Sequence, residues 1–542
     1  MKKTFISITI LVALLLGQTP KATKQQTTPS FFDLYDQNRK EQIPNYISLD
    51  FILTANYLFK QQSITQMEQE VLYPKFKKLA YGLKANLLKA YSPAKKEALA
   101  FVLVLNELLG NQSADVPVGA LRLAKEELKL IYRHQGIVLS PIAKVKLDYS
   151  QYKVRGKYTQ NSDLTAYFLA LKYMGYMSFM VNAHGATGVT STVANQQIAN
   201  AQLIALALKP LMGEYQTIEK ALEKLSGKGD DLSITNLLET EALAPNMARL
   251  KPSVPSIRKY LNTLKFPKIS ERIINTSRIK KEDIPKASLA LKLLPSRFTP
   301  DSYIFSQLTY PHVGQLEGQK NKVTSMIDGK MVRGYPTIMD ISAVLVGKNP
   351  KESNYQGYTQ QIAKLKKAIQ PNLKSIYSYD FAIYHKLLKQ NRINSFKGYY
   401  TQSRYIMNLY QKQSYTGGLK SIFIDERKKA YLEKDIGEVL DLLIAEDKLL
   451  PNSKQFIGIL QELKNLDKKG NVFSSQEITY LNNLDSKFKS ILEDKDTPIE
   501  VDIHTNPVEG KVLYEVLKEP FVRDVNGFRG AFYQHVEEMK AR

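Results

Sequence analysis

The sequence predicts a mainly α-helical, large multi-helix globular protein with a small β-hairpin element near the C-terminus. Apolar residues recur at helical spacing along most of the 542 residues. The composition, with 43% hydrophobic and 24% charged residues, is typical of a folded chain and not of a disordered one. Strict alternation of apolar and polar residues is found only close to the C-terminus, which predicts the hairpin.

The beginning of the chain predicts an export signal. Two lysines precede an apolar run from Phe5 to Gly17 that is too short to span a bilayer comfortably. Gln18 stands where a lipoprotein needs a cysteine, so no lipid anchor is expected. We expect a signal peptide over residues 1–22 and a flexible linker over residues 23–30. The protein is then exported to the periplasm, the cell envelope or the extracellular space, and an uncleaved signal would tether it to the membrane.

Cysteine content and charge exclude several classes of site and partner. The chain has no cysteine, which excludes disulfides, thiolate metal sites and a cysteine nucleophile. Its formal net charge is +24, mostly from lysines spread along the chain. An exported protein seldom meets nucleic acid, so no nucleic-acid partner is expected. The charge favours solubility or loose attraction to anionic lipid or cell-wall polymers, which limits membrane contact to an uncleaved signal or surface charge.

Helical periodicity and turn signals predict the elements in order. Helices are predicted over residues 51–59, 64–88, 97–110, 119–132, 196–212, 214–226, 233–244, 336–347, 358–369, 403–413, 432–446 and 475–493. A proline-studded region over 245–336 predicts short elements. The stretch IEVDIHTNPVEGKVLYEV (499–516) alternates around a turn and predicts the hairpin.

One further helix follows the segment 148–159 and has a clear start. Asn161 or Ser162 supplies the N-cap, and Asp163 lies in the first turn. Its buried face is predicted to consist of Leu164, Tyr167, Phe168, Leu171 and Met174.

These changes of pattern suggest how the chain after residue 30 is organised. An N-terminal helical part covers 31–147 and a central part covers 148–350. A C-terminal helical part covers 351–495, and a β-containing tail covers 496–542.

The segment DYSQYKVRGKYT (148–159) is the first candidate for a binding surface, because three tyrosines and three cations are crowded into its twelve residues. A polar ligand could stack on the tyrosines and be held by the cations, as in carbohydrate or anion sites. Alternatively, the segment is a connector whose tyrosines cover neighbouring helices while its cations stay in water. The candidate ligand-binding residues are Tyr149, Tyr152, Arg155, Lys157 and Tyr158.

The stretch VDIHTN is the second candidate. Asp502, His504 and Asn506 are two residues apart and are predicted to point from one face of a strand. A carboxylate, an imidazole and an amide oxygen could hold a divalent metal or orient a water molecule. A polar strand face that leads into a turn is the preferred alternative, so a metal is not favoured and the cofactor stays unknown. Further acids that could join such a site are Asp50, Asp148 and Asp340.

Signatures of common hydrolases, nucleotide-binding proteins and dehydrogenases are missing from the sequence. Several separated blocks, however, resemble a family of exported bacterial and archaeal proteins catalogued as domain of unknown function 3160. The blocks are residues 43–53, 148–159, 297–308, 336–347, 410–415, 501–513 and 529–534. The resemblance spans nearly the whole chain after residue 30, roughly Phe31 to Glu537, and implies no established activity.

The resemblance also implies histidines and acids at positions where this chain has other residues. These positions are Thr54, Tyr57, Lys157, Tyr405, Ile406 and Asn506. Because imidazole and carboxylate groups bind metals and move protons, their replacement implies that any catalytic or metal centre of the family is lost here. Residues that keep the pattern are Asp50, Asp148, Arg155, Asp301, Asp340, Asp502 and His504.

Two functional hypotheses follow. The first is a non-catalytic envelope protein that binds a polar partner, a glycan or another protein, through the tyrosine and arginine surface. The second is a metal-assisted hydrolase of envelope or extracellular glycans that uses Asp502, His504 and one of the retained aspartates. The oligomeric state is open.

Overall fold

The computed structural model describes residues 28–541 with interruptions. The gaps are residues 90, 112–114, 243–252, 271–278, 328, 373–378, 413, 416–431, 434, 470–472, 493–497, 507–508 and 526–527. The predicted signal peptide and residues 23–27 of the predicted linker lie outside the described residues. None of the helices in the described part of the chain is both long enough and apolar enough to cross a membrane.

Helices dominate the described chain, which confirms the predicted fold class. They are α1 (Phe31–Lys40), α2 (Leu49–Met67), α3 (Tyr73–Lys89), α4 (Lys96–Leu108), α5 (Val118–Arg133), α6 (Ser162–Tyr176), α7 (Ser191–Leu208), α8 (Met212–Ser226), α9 (Asn236–Ala242), α10 (Val254–Leu261), α11 (Ile284–Ala287), α12 (Pro300–Gln307), α13 (Met339–Val346), α14 (Tyr358–Ile369), α15 (Tyr379–Lys389), α16 (Ile393–Met407), α17 (Gly437–Asp447), α18 (Lys454–Asp467), α19 (Ser475–Asn482) and α20 (Leu484–Lys489).

Strands form small sheets between and after the helices. They are β1 (Ile137–Leu139), β2 (Lys146–Asp148), β3 (Phe179–Met180), β4 (Leu232–Ser233), β5 (Ala290–Lys292), β6 (Thr324–Ile327), β7 (Lys330–Arg333), β8 (Ser414–Tyr415), β9 (Ile499–Asn506), β10 (Lys511–Val525) and β11 (Phe528–Ala541). In the described chain β1 pairs with β2 and β6 with β7, while β5 lies between β3 and β4.

The C-terminal sheet has the strand order β11-β10-β9-β8. Strands β9 and β10 pair antiparallel with Lys511 opposite Asn506, which confirms the predicted hairpin. The sheet is larger than predicted, because the long strand β11 pairs antiparallel with β10 and the short β8 pairs parallel with β9. Helices α2 and α16 pack against this sheet, so the two ends of the chain share one hydrophobic core.

Helix α6 forms where the sequence predicts it. The Asn161 side chain accepts a hydrogen bond from the Leu164 backbone N–H at 2.9 Å, which caps the helix. The five apolar residues of the predicted face are all buried. The predicted face of α6 therefore joins the core.

The ordered fold begins before helix α1. The Thr28 N–H donates to the Pro520 carbonyl at 3.0 Å, and Thr28 is buried. The Ser30 hydroxyl accepts from the Asp33 N–H at 2.9 Å and caps α1. The expectation of a flexible linker as far as residue 30 is therefore wrong for residues 28–30, because backbone and cap hydrogen bonds hold them against β10.

A wide helical turn separates α2 from α3, where the sequence predicts one continuous helix over 64–88. The turn spans Glu68–Leu72 and has π-helical hydrogen bonding. Pro74 has no N–H to donate to the Glu70 carbonyl, so a regular α-helix cannot continue through this point. The turn carries Glu68 in a fully buried position, and single π turns of this kind are frequent at functional sites.

Candidate ligand-binding cleft

A cleft with about 80 Å³ of interior space, open to solvent, lies against the segment 148–159. Helices α2, α6 and α16, the two residues after α16 and strand β9 supply the rest of its lining. Its polar side chains are Gln61, Ser150, Gln151, Lys153, Arg155, Lys157, Lys172, Asn408, Glu500 and Asp502. Its apolar and aromatic side chains are Tyr158, Phe168, Tyr405, Ile406, Leu409 and Val501. This volume is below the range of about 300–1,000 Å³ that is usual for small-molecule sites, so the cleft can enclose only part of a ligand.

The first two tyrosines of the segment are structural. Tyr149 and Tyr152 are buried, and neither lines the cleft. The Tyr149 hydroxyl donates to the carboxylate of Glu127 on α5, and the Ser140 hydroxyl donates to the same carboxylate at 2.6 Å. Burial raises the pKa of Glu127. The expectation that Tyr149 and Tyr152 contact a ligand is therefore wrong, since both side chains are enclosed in the core.

The other end of the segment is anchored by Glu68. The Lys157 ammonium lies 2.6 Å from one Glu68 oxygen, and the Tyr158 hydroxyl donates to the other at 2.8 Å. The Tyr410 hydroxyl donates to that second oxygen as well. Burial, followed by the Glu68 charge, raises the pKa of Tyr158 well above its usual value. Lys157 and Tyr158 thus line the cleft, and the Glu68 carboxylate balances the charge of Lys157.

A glycine turn holds Arg155 between these two anchors. Gly156 has a φ of +56°, and a Cβ added there would overlap the hydroxyl of Tyr405 on α16. Lys153 and Arg155 are exposed, whereas Tyr149 before them and Lys157 after them contact the buried carboxylates of Glu127 and Glu68. The segment therefore presents its two exposed cations on a preorganised backbone, which lowers the entropic cost of binding.

Gly156→Ala is expected to destabilise the protein by more than the roughly 1–2 kcal/mol cost of a left-handed conformation. The added methyl group must also displace Tyr405. Gly136→Ala is the matched control, because Gly136 has a similar φ of +69° and no atom within 4 Å of an added Cβ. Urea unfolding of the two variants measures the difference; equal losses of stability would contradict the close packing of Gly156 on Tyr405.

Arg155 faces Asp502 across the cleft. The guanidinium Nη1 lies 3.7 Å from Asp502 Oδ2, and the arginine side chain is 46% exposed. The other carboxylate oxygen, Oδ1, accepts from the Asn408 side-chain amide at 2.6 Å. The guanidinium also lies 6.0 Å from the centre of the Tyr514 ring. The two sequence candidates, the segment 148–159 and VDIHTN, therefore meet at this pair.

Asp502 and His504 do not share a strand face, and that expectation is wrong. Leu513 lies opposite His504 and Tyr514 lies opposite Asp502, so β9 has one extra residue, Ile503, between the two pairs. Residues opposite each other point to the same side of a sheet, whereas Leu513 and Tyr514 are consecutive and point to opposite sides. The bulge thus directs Asp502 into the cleft and His504 towards Tyr335, whose ring centre is 5.8 Å away.

The remaining acids of the predicted site are separate from the cleft. Asp50 is buried, accepts from the Tyr533 N–H at 3.0 Å, and has its pKa raised by burial. Asp148 accepts from the Ser150 hydroxyl at 2.7 Å. Asp340 forms a buried two-point ion pair with Arg333, with both contacts at 3.0 Å.

These acids do not converge on a metal centre. Among the described residues, no group of three or more histidine, aspartate and glutamate side chains is arranged to hold a metal ion. Each of the three acids instead stabilises its own part of the fold.

A family model described as protein of unknown function (DUF3160) matches residues 19–517. The chain belongs to this family. The match confirms the resemblance that the separate sequence blocks indicate. No curated protein and no solved structure matches the chain. The description of DUF3160 assigns no activity, so the geometry of the cleft has to carry the functional argument.

Most positions at which this DUF3160 chain departs from the implied family pattern are close to the cleft. Lys157, Tyr405 and Ile406 line it. The ring of Tyr57 lies 6.5 Å from that of Tyr405, and its hydroxyl donates to the cleft residue Gln61 at 2.8 Å. Thr54 and Asn506 are not part of the lining. Four of the six positions at which the resemblance implies other residues are therefore at or beside the cleft.

Sequence reasoning missed three residues that shape the cleft. Gln61 and Glu68 come from the region of α2 and its π turn, and Asn408 follows the end of α16. They are distant in sequence from the segment 148–159, and no local pattern marks them. The only local signal for Glu68 is that an acidic residue interrupts the amphipathic pattern of the predicted helix.

Proposed function

We propose that this DUF3160 protein binds a polar, anionic ligand in the cleft and does not transform it. The observation that carries the proposal is the anchored presentation of Arg155. Glu127 fixes the segment through Tyr149, Glu68 fixes it through Lys157, and the half-exposed guanidinium lies between these anchors. An arginine that is held in place on a rigid backbone is suited to charge-assisted binding of a carboxylate or phosphate.

The charges around the cleft favour an anion. Lys157 is balanced by Glu68, and Glu500 forms an ion pair with Lys540. Lys153 makes no ion pair with any residue that the structure describes. The balance of the lining is therefore positive, which attracts anionic ligands.

The contacts of Asp502 support binding over catalysis. Its carboxylate accepts from Asn408 and faces Arg155, and His504 lies on the other face of the sheet. A hydrolase that uses Asp502 and His504 together would need both in one cleft. The metal-assisted hydrolase therefore has no geometric support among the described residues.

We also propose that the ligand is an envelope glycan and that the protein binds it outside the cytoplasmic membrane. The apolar run of the first 22 residues supports export. Amide, hydroxyl and charged side chains beside an apolar wall support a saccharide ligand. Contact with anionic lipid would rest only on the general positive charge.

Arg155→Ala is expected to weaken ligand binding by about tenfold to a hundredfold, because a charge-assisted hydrogen bond contributes about 1.5–3 kcal/mol. Isothermal titration with three anionic probes, cellobiouronic acid, glucose 6-phosphate and succinate, measures this loss for any probe that wild type binds. Arg122→Ala is the control, since Arg122 is 64% exposed on α5 and is not part of the cleft.

Two results would contradict the proposal. In the first, wild type binds none of the three probes. In the second, Arg155→Ala binds a probe as tightly as Arg122→Ala does.

A further inference from the structure

We infer that Asp502 determines the specificity of the cleft and selects a saccharide that carries a single carboxylate beside free hydroxyl groups. This inference rests on the proposed function and names the class of ligand. It assigns the carboxylate of the sugar to Arg155 and a hydroxyl group of the sugar to Asp502. Phosphorylated ligands and dicarboxylates are then disfavoured.

The geometry of Asp502 leaves one oxygen available for a ligand. Oδ1 accepts from Asn408 at 2.6 Å, whereas Oδ2 lies 3.7 Å from Arg155 Nη1. The second distance is longer than a hydrogen bond of 2.7–3.2 Å. The Asp502 side chain is 12% exposed and lines the cleft, so a ligand can reach it.

The chemistry of a carboxylate restricts what can bind beside it. An ionised carboxylate only accepts hydrogen bonds, so the ligand group against Oδ2 must be a donor. A sugar hydroxyl meets this requirement. Any anion held by Arg155 also lies close to Asp502, so a phosphate dianion or a dicarboxylate, with two negative charges, is repelled more strongly than a single carboxylate. Arg155, which only donates, requires an acceptor on the same ligand. The pair therefore selects a ligand with an anion and a hydroxyl group close together.

An amino acid or a dipeptide would also present one anionic group and one hydrogen-bond donor. The rest of the lining favours a sugar over these ligands. Gln61, Gln151, Ser150 and Asn408 are neutral side chains that each make a hydrogen bond within the protein. Amide and hydroxyl groups have more than one hydrogen-bonding position, as the hydroxyl groups of a sugar do. Several such groups match a ring with several hydroxyl groups, whereas a zwitterion has few polar atoms to offer. The wall formed by Phe168, Ile406, Leu409 and Val501 suits the C–H face of a pyranose ring.

Asp502→Asn tests the inference, because it keeps the size of the side chain and removes its charge. Wild type is expected to bind cellobiouronic acid at least tenfold more tightly than glucose 6-phosphate. In the variant, glucose 6-phosphate should bind about tenfold more tightly than before, since the repulsion is lost. Cellobiouronic acid should bind several-fold more weakly, since its hydroxyl group now meets a neutral acceptor.

Asp441→Asn is the control, because Asp441 is 52% exposed on α17 and is not part of the cleft. Thermal unfolding checks that both variants are folded. An unchanged ranking of the two probes in Asp502→Asn, together with weaker binding by Arg155→Ala, would overturn the specificity inference and leave the proposed function intact. Tighter binding of glycylglycine than of cellobiouronic acid by wild type would also overturn it, in favour of a zwitterionic ligand.

Discussion

Lys157→Met is expected to destabilise the protein by about 3–5 kcal/mol, because it leaves the buried Glu68 carboxylate without its counter-charge. Glu68 is fully buried, and the Lys157 ammonium is its cationic partner at 2.6 Å. Tyr158 and Tyr410 still donate hydrogen bonds to Glu68, but they carry no positive charge. Urea unfolding monitored by circular dichroism measures the loss.

Two further variants separate this effect from the general consequences of removing a lysine. Lys153 lies in the same segment but is exposed, so Lys153→Met should change the free energy of unfolding by no more than about 0.5 kcal/mol. The double variant Glu68→Gln/Lys157→Met should recover much of the loss, since no buried charge remains unpaired. The account of the anchored segment would be wrong if Lys157→Met were as mild as Lys153→Met.

Asp447→Asn is expected to stabilise the protein at alkaline pH. Asp447 ends helix α17 in the core, where burial raises its pKa to about 8. Burial likewise raises the pKa of its neighbour Glu446 to about 7, against the opposing effect of Lys60. Lys60 also lies 3.7 Å from Asp380, so one ammonium group faces more than one carboxylate. The cluster is short of positive charge when its acids are ionised.

The hydrogen bonds around Asp447 favour a hydrogen-bond donor on this side chain over a second negatively charged oxygen. The Asn56 amide donates to Asp447 Oδ2 at 2.8 Å. Among the described residues, neither Asp447 Oδ1 nor Asn56 Oδ1, both buried, has a hydrogen-bond partner. Protonation of Asp447, or an amide in its place, supplies the missing donor. Asparagine at this position should therefore pack without a charge penalty.

The sign of the pH dependence follows from the raised pKa. The folded protein binds the Asp447 proton more tightly than the unfolded chain, whose pKa is near 3.8. The stabilisation is therefore fully present below about pH 4 and is lost as the pH rises towards 8, at roughly 1.4 kcal/mol per pKa unit. Glu446 acts in the same direction up to about pH 7. Tyr399, whose hydroxyl group accepts a hydrogen bond from the Lys60 ammonium, also belongs to the cluster. The pKa values of Lys60 and Tyr399 are raised above their already alkaline values, so neither group titrates in this pH range.

Urea unfolding at pH 5 and pH 9 measures this prediction. The gain in stability of Asp447→Asn over wild type should be several-fold larger at pH 9 than at pH 5. The exposed Asp441→Asn, on the same helix, should follow wild type at both pH values. A gain that does not grow with pH would mean that Asp447 is not protonated in the folded protein at neutral pH.

Local patterns predicted much of the fold, and the failures have non-local causes. Helix α6 is predicted well because its cap at Asn161 and its apolar spacing are properties of one short stretch. Strand β11 was not predicted, since its partner β10 decides its conformation and its own sequence lacks clean alternation. The break between α2 and α3 had a visible signal, Pro74, that the strong periodicity around it outweighed.

The candidate site was predicted only in part, because some of its residues are placed by contacts that are distant in sequence. Arg155 was identified from its neighbours in sequence, and the structure places it in the cleft. Glu68, which binds the segment from 89 residues away, could not be found by spacing. The bulge at Ile503 depends on the register with β10, so sequence alternation alone assigned Asp502 and His504 to one face.

Hydrogen–deuterium exchange of wild type with and without saturating cellobiouronic acid tests the central claim most directly. If the cleft is the ligand site, the backbone amides of residues 150–158 and 499–503 should exchange more slowly when the saccharide is bound, because both stretches border it. Residues 118–129 on α5, outside the cleft, should not change. Protection that appears elsewhere and spares both stretches, or no protection at all, would contradict the account.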